Sequence, residues 1–268
     1  MEFNGVEFSS LHRPCARRRR AGRATRLARV AALLTLNLAA THATMAADDS
    51  WLDVEGRIQY SFYTEDTRAL SDVADQLSLG EGESDAMRGY YAGLANYRLA
   101  LLWAERDKSR ARNAVEKCVG TLGAVVKAQP DFAAGLALQS ACLRTLAMIA
   151  PWKPLAGSKS TGQMERAVKL APKDPRVLLL EALETGEGGR IDEQSLKKLK
   201  KAAAAFEAER QGVDKTPGWG AAEVYTYLGR GYLDRGDVLA ARDALERALL
   251  IAPDFALARR LMTKITSG

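Results

Sequence analysis

Histidine is nearly absent from this chain: there are two in 268 residues, His12 and His42, and both lie in the first 46. A body without imidazole excludes Ser–His–Asp and Cys–His nucleophilic arrangements, histidine proton shuttles and the common histidine-containing zinc sites. Asparagine beyond that segment is confined to Asn96 and Asn113, and cysteine to Cys118 and Cys142. No alternating apolar–polar run is long enough for a strand. The glycine clusters at Gly80/Gly82 and Gly186/Gly188/Gly189 follow no strand and precede no Gly-Lys-Ser/Thr run, so they make no phosphate loop. Acids are plentiful but scattered, and nothing marks a carboxylate pair of the glycosidase kind. No catalytic residue, metal site or cofactor is expected, and the protein is not expected to be an enzyme.

The formal charge of +6 points at first to a nucleic-acid or membrane partner. Residues 1–46 carry eight arginines, no lysine and two acids, Glu2 and Glu7, which accounts for the whole excess and leaves the remainder balanced. That segment reads as a signal peptide. Arginines precede the apolar run of residues 30–40 (VAALLTLNLAA), small residues follow at Ala43, Thr44, Ala46 and Ala47, and hydrophobicity stops at Asp48 and Asp49. The run is shorter than the roughly 20 residues of a membrane span. An uncleaved anchor and an organelle transit peptide are the alternatives, and membrane contact is expected only through this segment if it is uncleaved. The expected organisation is therefore a signal peptide over 1–46, a helical domain over 47–268, and a periplasmic or secreted location.

The body is rich in Ala, Leu, Glu, Lys and Arg, a helix-forming composition. Its clearest internal pattern is Tyr225-x2-Leu228-Gly229-x2-Tyr232-x8-Ala241-x3-Leu245-x2-Ala248-x4-Pro253. Small residues at Gly229 and Ala241 let two helices approach, the larger ones fill the space around the contact, and Pro253 stops the second helix. Arg235-Gly236-Asp237 supplies the turn, with Asp237 as cap. Over residues 222–255 this resembles the tetratricopeptide-repeat (TPR) family, in an exported bacterial form. The resemblance implies an all-α fold, a TPR-like α-solenoid of stacked antiparallel hairpins with a concave groove lined by the first helix of each pair.

Looser copies precede it. Gln129-Pro130-Asp131-Phe132-Ala133 and Ala252-Pro253-Asp254-Phe255-Ala256 are one junction repeated, with Ala171-Pro172-Lys173-Asp174 a third version. Tyr90, Leu94, Tyr97 and Leu101 form a helical stripe before a second helix over residues 110–127. An apolar helix over 133–150 leads to an insertion, then to a short helix that Ser160-x-x-Gln163 is expected to cap. A third pair spans residues 175–211, broken at the 186–189 glycines. Residues 59–79 form a leading helix or degenerate hairpin, and 254–266 a capping helix.

Cys118 and Cys142 lie on opposite sides of the Pro130 junction, at about one height if the chain turns there. They are a disulfide candidate in an oxidising compartment, or else two small buried hydrophobes. Trp152, in the turn-rich insertion of residues 151–159, is either a partner anchor or a cover for a helix end. Lys197, Lys198, Lys200 and Lys201 share their helix with acids and read as a solvated face, so no nucleic acid is expected.

The resemblance places groove residues at Glu223, Thr226, Tyr227, Arg230 and Asp234, with Tyr90, Tyr97 and Arg98 in the first pair. With only two asparagines, a Lys/Asn carboxylate clamp is not supported. Two functions are carried forward. One is a non-catalytic protein–protein interaction scaffold or assembly factor that receives a peptide or helix in the groove. The other is a soluble small-ligand-binding component associated with a transporter, which requires a closed, aromatic-lined pocket of a few hundred Å3 on which Tyr90, Tyr97 and Tyr227 converge.

Overall fold

Aspartate and proline set the helix boundaries, and helix is the whole of the described secondary structure. The structure, a computed structural model, describes residues 51–79, 86–152, 155–184, 190–210 and 217–266. The signal-like segment, Gly80/Gly82 and Gly186/Gly188/Gly189 lie outside the described residues. The chain divides into two units, Met1–Ala47 and Asp48–Gly268, and the described helices all belong to the second.

The helices are α1 over residues 51–63, then α2 (Thr67–Leu79), α3 (Ala86–Trp103), α4 (Lys108–Ala128), α5 (Ala133–Ile149) and α6 (Leu155–Leu170). They continue as α7 (Pro175–Glu184), α8 (Glu193–Arg210), α9 (Ala221–Leu233), α10 (Val238–Ile251) and α11 (Ala256–Thr266). The Asp107 carboxylate accepts from Ser109 N and Arg110 N to start α4, and that of Asp237 from Ala240 N to start α10. Asp66, Asp174 and Asp192 do the same for α2, α7 and α8. Each satisfies backbone donors that a helix leaves orphaned at its N-terminus. Pro130, Pro172 and Pro253 fall just after α4, α6 and α10, as the repeated junctions imply.

Consecutive helices pack against each other in sequence order, and α3–α5, α5–α7 and α9–α11 also touch. The odd-numbered helices are therefore inner and the even-numbered ones outer. The sequence explains the division. α3 from Tyr90 to Ala100 and α5 from Ala134 to Leu143 are buried all round, with Arg98 the one charged residue in either stretch. α4 buries a single stripe that includes Ala111, Val115, Cys118 and Leu122. In the clearest repeat, Tyr225, Leu228, Ala241, Leu245 and Ala248 are all buried. A Cβ on Gly229 would lie 2.6 Å from Leu245 Cγ and 3.3 Å from the Ala241 carbonyl, so only glycine admits this approach. The α9–α10 turn runs through Gly236 at φ 76. α4 repeats the α10 pattern from its cap onward, with Asp107, Ala111, Val115 and Cys118 standing where Asp237, Ala241, Leu245 and Ala248 stand.

Cys118 of α4 and Cys142 of α5 are joined in a disulfide, with Cα atoms 6.2 Å apart. The leading segment is a full hairpin, α1 and α2, that begins before residue 59. Two local expectations are corrected. Ser160 caps nothing: α6 already starts at Leu155, and the Ser160 hydroxyl is buried against Ser140 of α5. Trp152 does not tuck over a helix end but stands 64% exposed.

Candidate functional site

Residues at or just before the N-terminal ends of α3, α5 and α9 meet one another and α1, and residues toward the C-terminal ends of α3, α5, α7 and α9 gather around a separate cavity. The N-terminal side is sealed. Trp219 Nε1, just before α9, donates to Tyr90 Oη of α3 at 2.8 Å, and Tyr90 packs on Phe132 with centroids 5.1 Å apart. The Glu55 carboxylate of α1 accepts from Tyr91 Oη at 2.8 Å and from Gly218 N at 3.0 Å. Burial raises the Glu55 pKa even though these bonds favour its charged form. At mid-height Arg98 of α3 pairs with Glu223 of α9, at 3% and 1% side-chain exposure. Tyr63 Oη of α1 donates to the other Glu223 oxygen at 2.8 Å. The Arg98 guanidinium also sits 4.2 Å from the Phe62 ring centroid and 4.9 Å from that of Trp219. Arg98 and Glu223 thus survive in the interior as a hydrogen-bonded ion pair, and Glu55 through hydrogen bonds from Tyr91 and Gly218.

This corrects part of the groove expectation. Tyr90, Arg98, Glu223 and Thr226 are interior links inaccessible to a partner, the Thr226 hydroxyl being spent on the Ala222 carbonyl at 2.8 Å. α1 is the reason. It reaches across to α9 and α11, where Tyr63 lies 4.4 Å from the Phe255 ring, and so closes the wall that the repeat pattern alone leaves open. Asp234 lies outside as well, exposed in the turn after α9.

The C-terminal side stays open. A cavity of about 170 Å3 is lined there by Tyr97 and Leu101 of α3, Arg144 and Met148 of α5, Leu180 and Glu184 of α7, Arg190 and Ile191 of the connector to α8, and Tyr227 and Arg230 of α9. Three of the expected residues, Tyr97, Tyr227 and Arg230, converge on it; Tyr90 does not. Burial raises the phenol pKa of both Tyr97 and Tyr227, so both remain neutral donors at physiological pH. Glu184 accepts from the Ser140 hydroxyl, and Ser160 Oγ lies 3.2 Å away; burial raises its pKa, and the charge of Arg144 opposes that rise. The side chains thus present three guanidiniums and one carboxylate around an apolar floor of Leu101, Leu180, Leu183 and Ile191.

Sequence reading missed Arg144, Glu184 and Arg190. The available signal was their place in the last turns of α5 and α7 or just beyond, where the inner helices bring their C-terminal ends together. It also missed that Asn96 and Asn113 share an outer cleft of about 470 Å3 with Arg68, Arg110 and Lys117. Among the described residues no group of three His, Cys, Asp or Glu is placed to hold a metal ion, and no helix is long and apolar enough to cross a membrane. No protein-family model matches the chain, and no curated protein matches it in sequence.

Proposed function

We propose that this is an exported, TPR-like α-solenoid that works without catalysis by binding a small molecule in its inner cavity, the second of the two functions carried forward from the sequence. The observation that carries the reading is the inner wall itself. Its middle and N-terminal thirds are spent on internal pairs such as Arg98–Glu223, while two tyrosines and three arginines turn into the remaining space. Open at its mouth, about 170 Å3 in volume and without Tyr90, that space departs from the closed three-tyrosine pocket expected from the sequence; it is smaller than the ~300–1,000 Å3 of drug-sized pockets, so the ligand is small. Export is supported by the signal-like N-terminus and by the pairing of Cys118 with Cys142, a bond that persists in oxidising compartments. TPR-like membership is supported by the spacing over residues 222–255 and by helix pairs packed in chain order.

A peptide-binding scaffold retains one point in its favour: Leu239 and Leu250 stand 80% and 83% exposed on α10. The two readings separate in a thermal-shift comparison with a set of small acids, amines and neutral fragments. At least one fragment should raise the melting temperature of the wild type. That rise should vanish in Ala141→Met, which fills the cavity from α5, and shrink in Tyr227→Ala. No stabilising fragment, or one equally effective on Ala141→Met, overturns the reading.

A further inference from the structure

We infer that the inner cavity takes a short-chain monocarboxylate, with the carboxylate held at the mouth by Arg230 and Arg190 and the hydrocarbon body against Leu101, Leu180 and Leu183. This rests on the proposal that the cavity is the binding site, and goes further by naming the ligand's chemistry.

Charge comes first. Arg144, Arg190 and Arg230 face one carboxylate, Glu184, whose oxygen already accepts from Ser140. Cations are expected at helix C-termini, where each macrodipole presents roughly half a negative charge. Arg230, in the last turn of α9, is explained in that way. Arg144 lies more than a turn before the end of α5 and its charge is felt by Glu184 and Tyr97. Arg190 belongs to no helix and is exposed at the rim. Glu184 and the four inner-helix C-termini together offset about three positive charges, so the anion is drawn by the placement of Arg190 and Arg230 at the mouth and not by a net surplus. Arginine's planar fork matches a carboxylate in a way an ammonium does not.

Shape and polarity supply the rest. The cavity is charged at one end and apolar along its floor, so the ligand must be amphipathic in the same sense. A free phosphate would leave the leucines facing empty space, and a dicarboxylate would press a second charge against them without a partner. The volume holds about six waters at ~30 Å3 each, which corresponds to a carboxylate of about four to six carbons. Tyr97 and Tyr227, neutral and on adjacent inner helices, flank that body with their rings and offer hydroxyls to the head group.

The test is calorimetric titration of the protein with hexanoate, hexan-1-ol, hexylamine and adipate at low ionic strength. Hexanoate should bind at least tenfold tighter than the other three and weaken as salt is added. Arg230→Gln and Arg190→Gln should each weaken hexanoate at least tenfold. Arg190 is exposed and outside any helix, so its variant does not hinge on folding. Arg247→Gln, in a separate cleft between α8 and α10, should leave binding unchanged. Equal binding of hexan-1-ol, or unchanged affinity in Arg190→Gln with the protein folded, overturns the inference. If a neutral or cationic probe binds and is excluded by Ala141→Met, the carboxylate class fails while the cavity reading stands. If no probe binds, both fall.

Discussion

Arg98 shows what a single side chain does when a fold closes over it. Its guanidinium is held by Glu223 on α9 and lies between the rings of Phe62 and Trp219, tying three separate stretches of chain. Removing one member of a buried pair leaves the other charged and unpaired, which typically costs about 3–5 kcal/mol. Urea denaturation of Arg98→Met and of Glu223→Gln should each show a loss of that size, and the double variant should lose clearly less than the sum. Strict additivity would mean that the pair does not act as a unit.

Glu65 is the outer counterpart. It turns the chain between α1 and α2 at φ 58, and its carboxylate takes Arg106 and Arg260, each at 2.6 Å. Burial alone would raise its pKa, but hydrogen bonds from the two arginines bring it below the usual carboxylate value. A lowered folded pKa means stability that is complete above about pH 4.5 and is lost as pH falls through the folded value. Glu65→Gln should therefore cost roughly 1 kcal/mol at pH 7 and show a shallower loss below pH 4.5 than the wild type. An identical acid limb in both proteins would contradict this. Neither residue's role was legible in the sequence. Arg98 and Glu223 were placed on the right helices but given to a partner, because nothing local says that they will pair or that α1 will reach Glu223 from 160 residues away.

At the level of the elements, sequence spacing carried further. The α9–α10 hairpin follows from Gly229, Ala241 and Leu245, since contact between two helices is decided by side-chain size at known intervals. The proline junctions were readable for the same local reason, because a helix cannot continue through them undisturbed. The start of α6 was misread: Ser160 looks like a cap in sequence, yet residues 155–159 are helical already and the hydroxyl serves Ser140 and Glu184 instead. The α4–α5 disulfide was one of two open alternatives, because the rotation of each helix about its axis is set by tertiary packing. It closes a loop of 24 residues, and the chain-entropy account gives about 3 kcal/mol for such a length. Reduction, or Cys118→Ala with Cys142→Ala, should lower the unfolding free energy by about that much while leaving the helical circular dichroism intact. No change would show that the α4–α5 contact holds without the bond.

On the scale of the molecule, what matters is that an inner layer of helices is sealed at one end and open at the other. Trp219, Tyr90, Phe132 and Glu55 fill the closed end, and the open end gathers Arg144 of α5, Arg230 in the last turn of α9 and Arg190 beyond α7. That polarity was invisible in the sequence, because it depends on α1 returning to α9 and α11. Tyr97, Tyr227 and Arg230, expected on the inner wall, line the cavity from α3 and α9. The same logic that places them also separates the cavity from the exposed leucines of α10, which lie on the opposite, outer layer. Methyl-resolved NMR of the protein, titrated with a mixture of small acids, amines and alcohols, decides between the two surfaces. The account predicts that the first methyl groups to shift belong to Leu101, Leu180, Leu183 and Ile191, with Leu239 and Leu250 unmoved. Shifts confined to Leu239 and Leu250, or none at all, would contradict it.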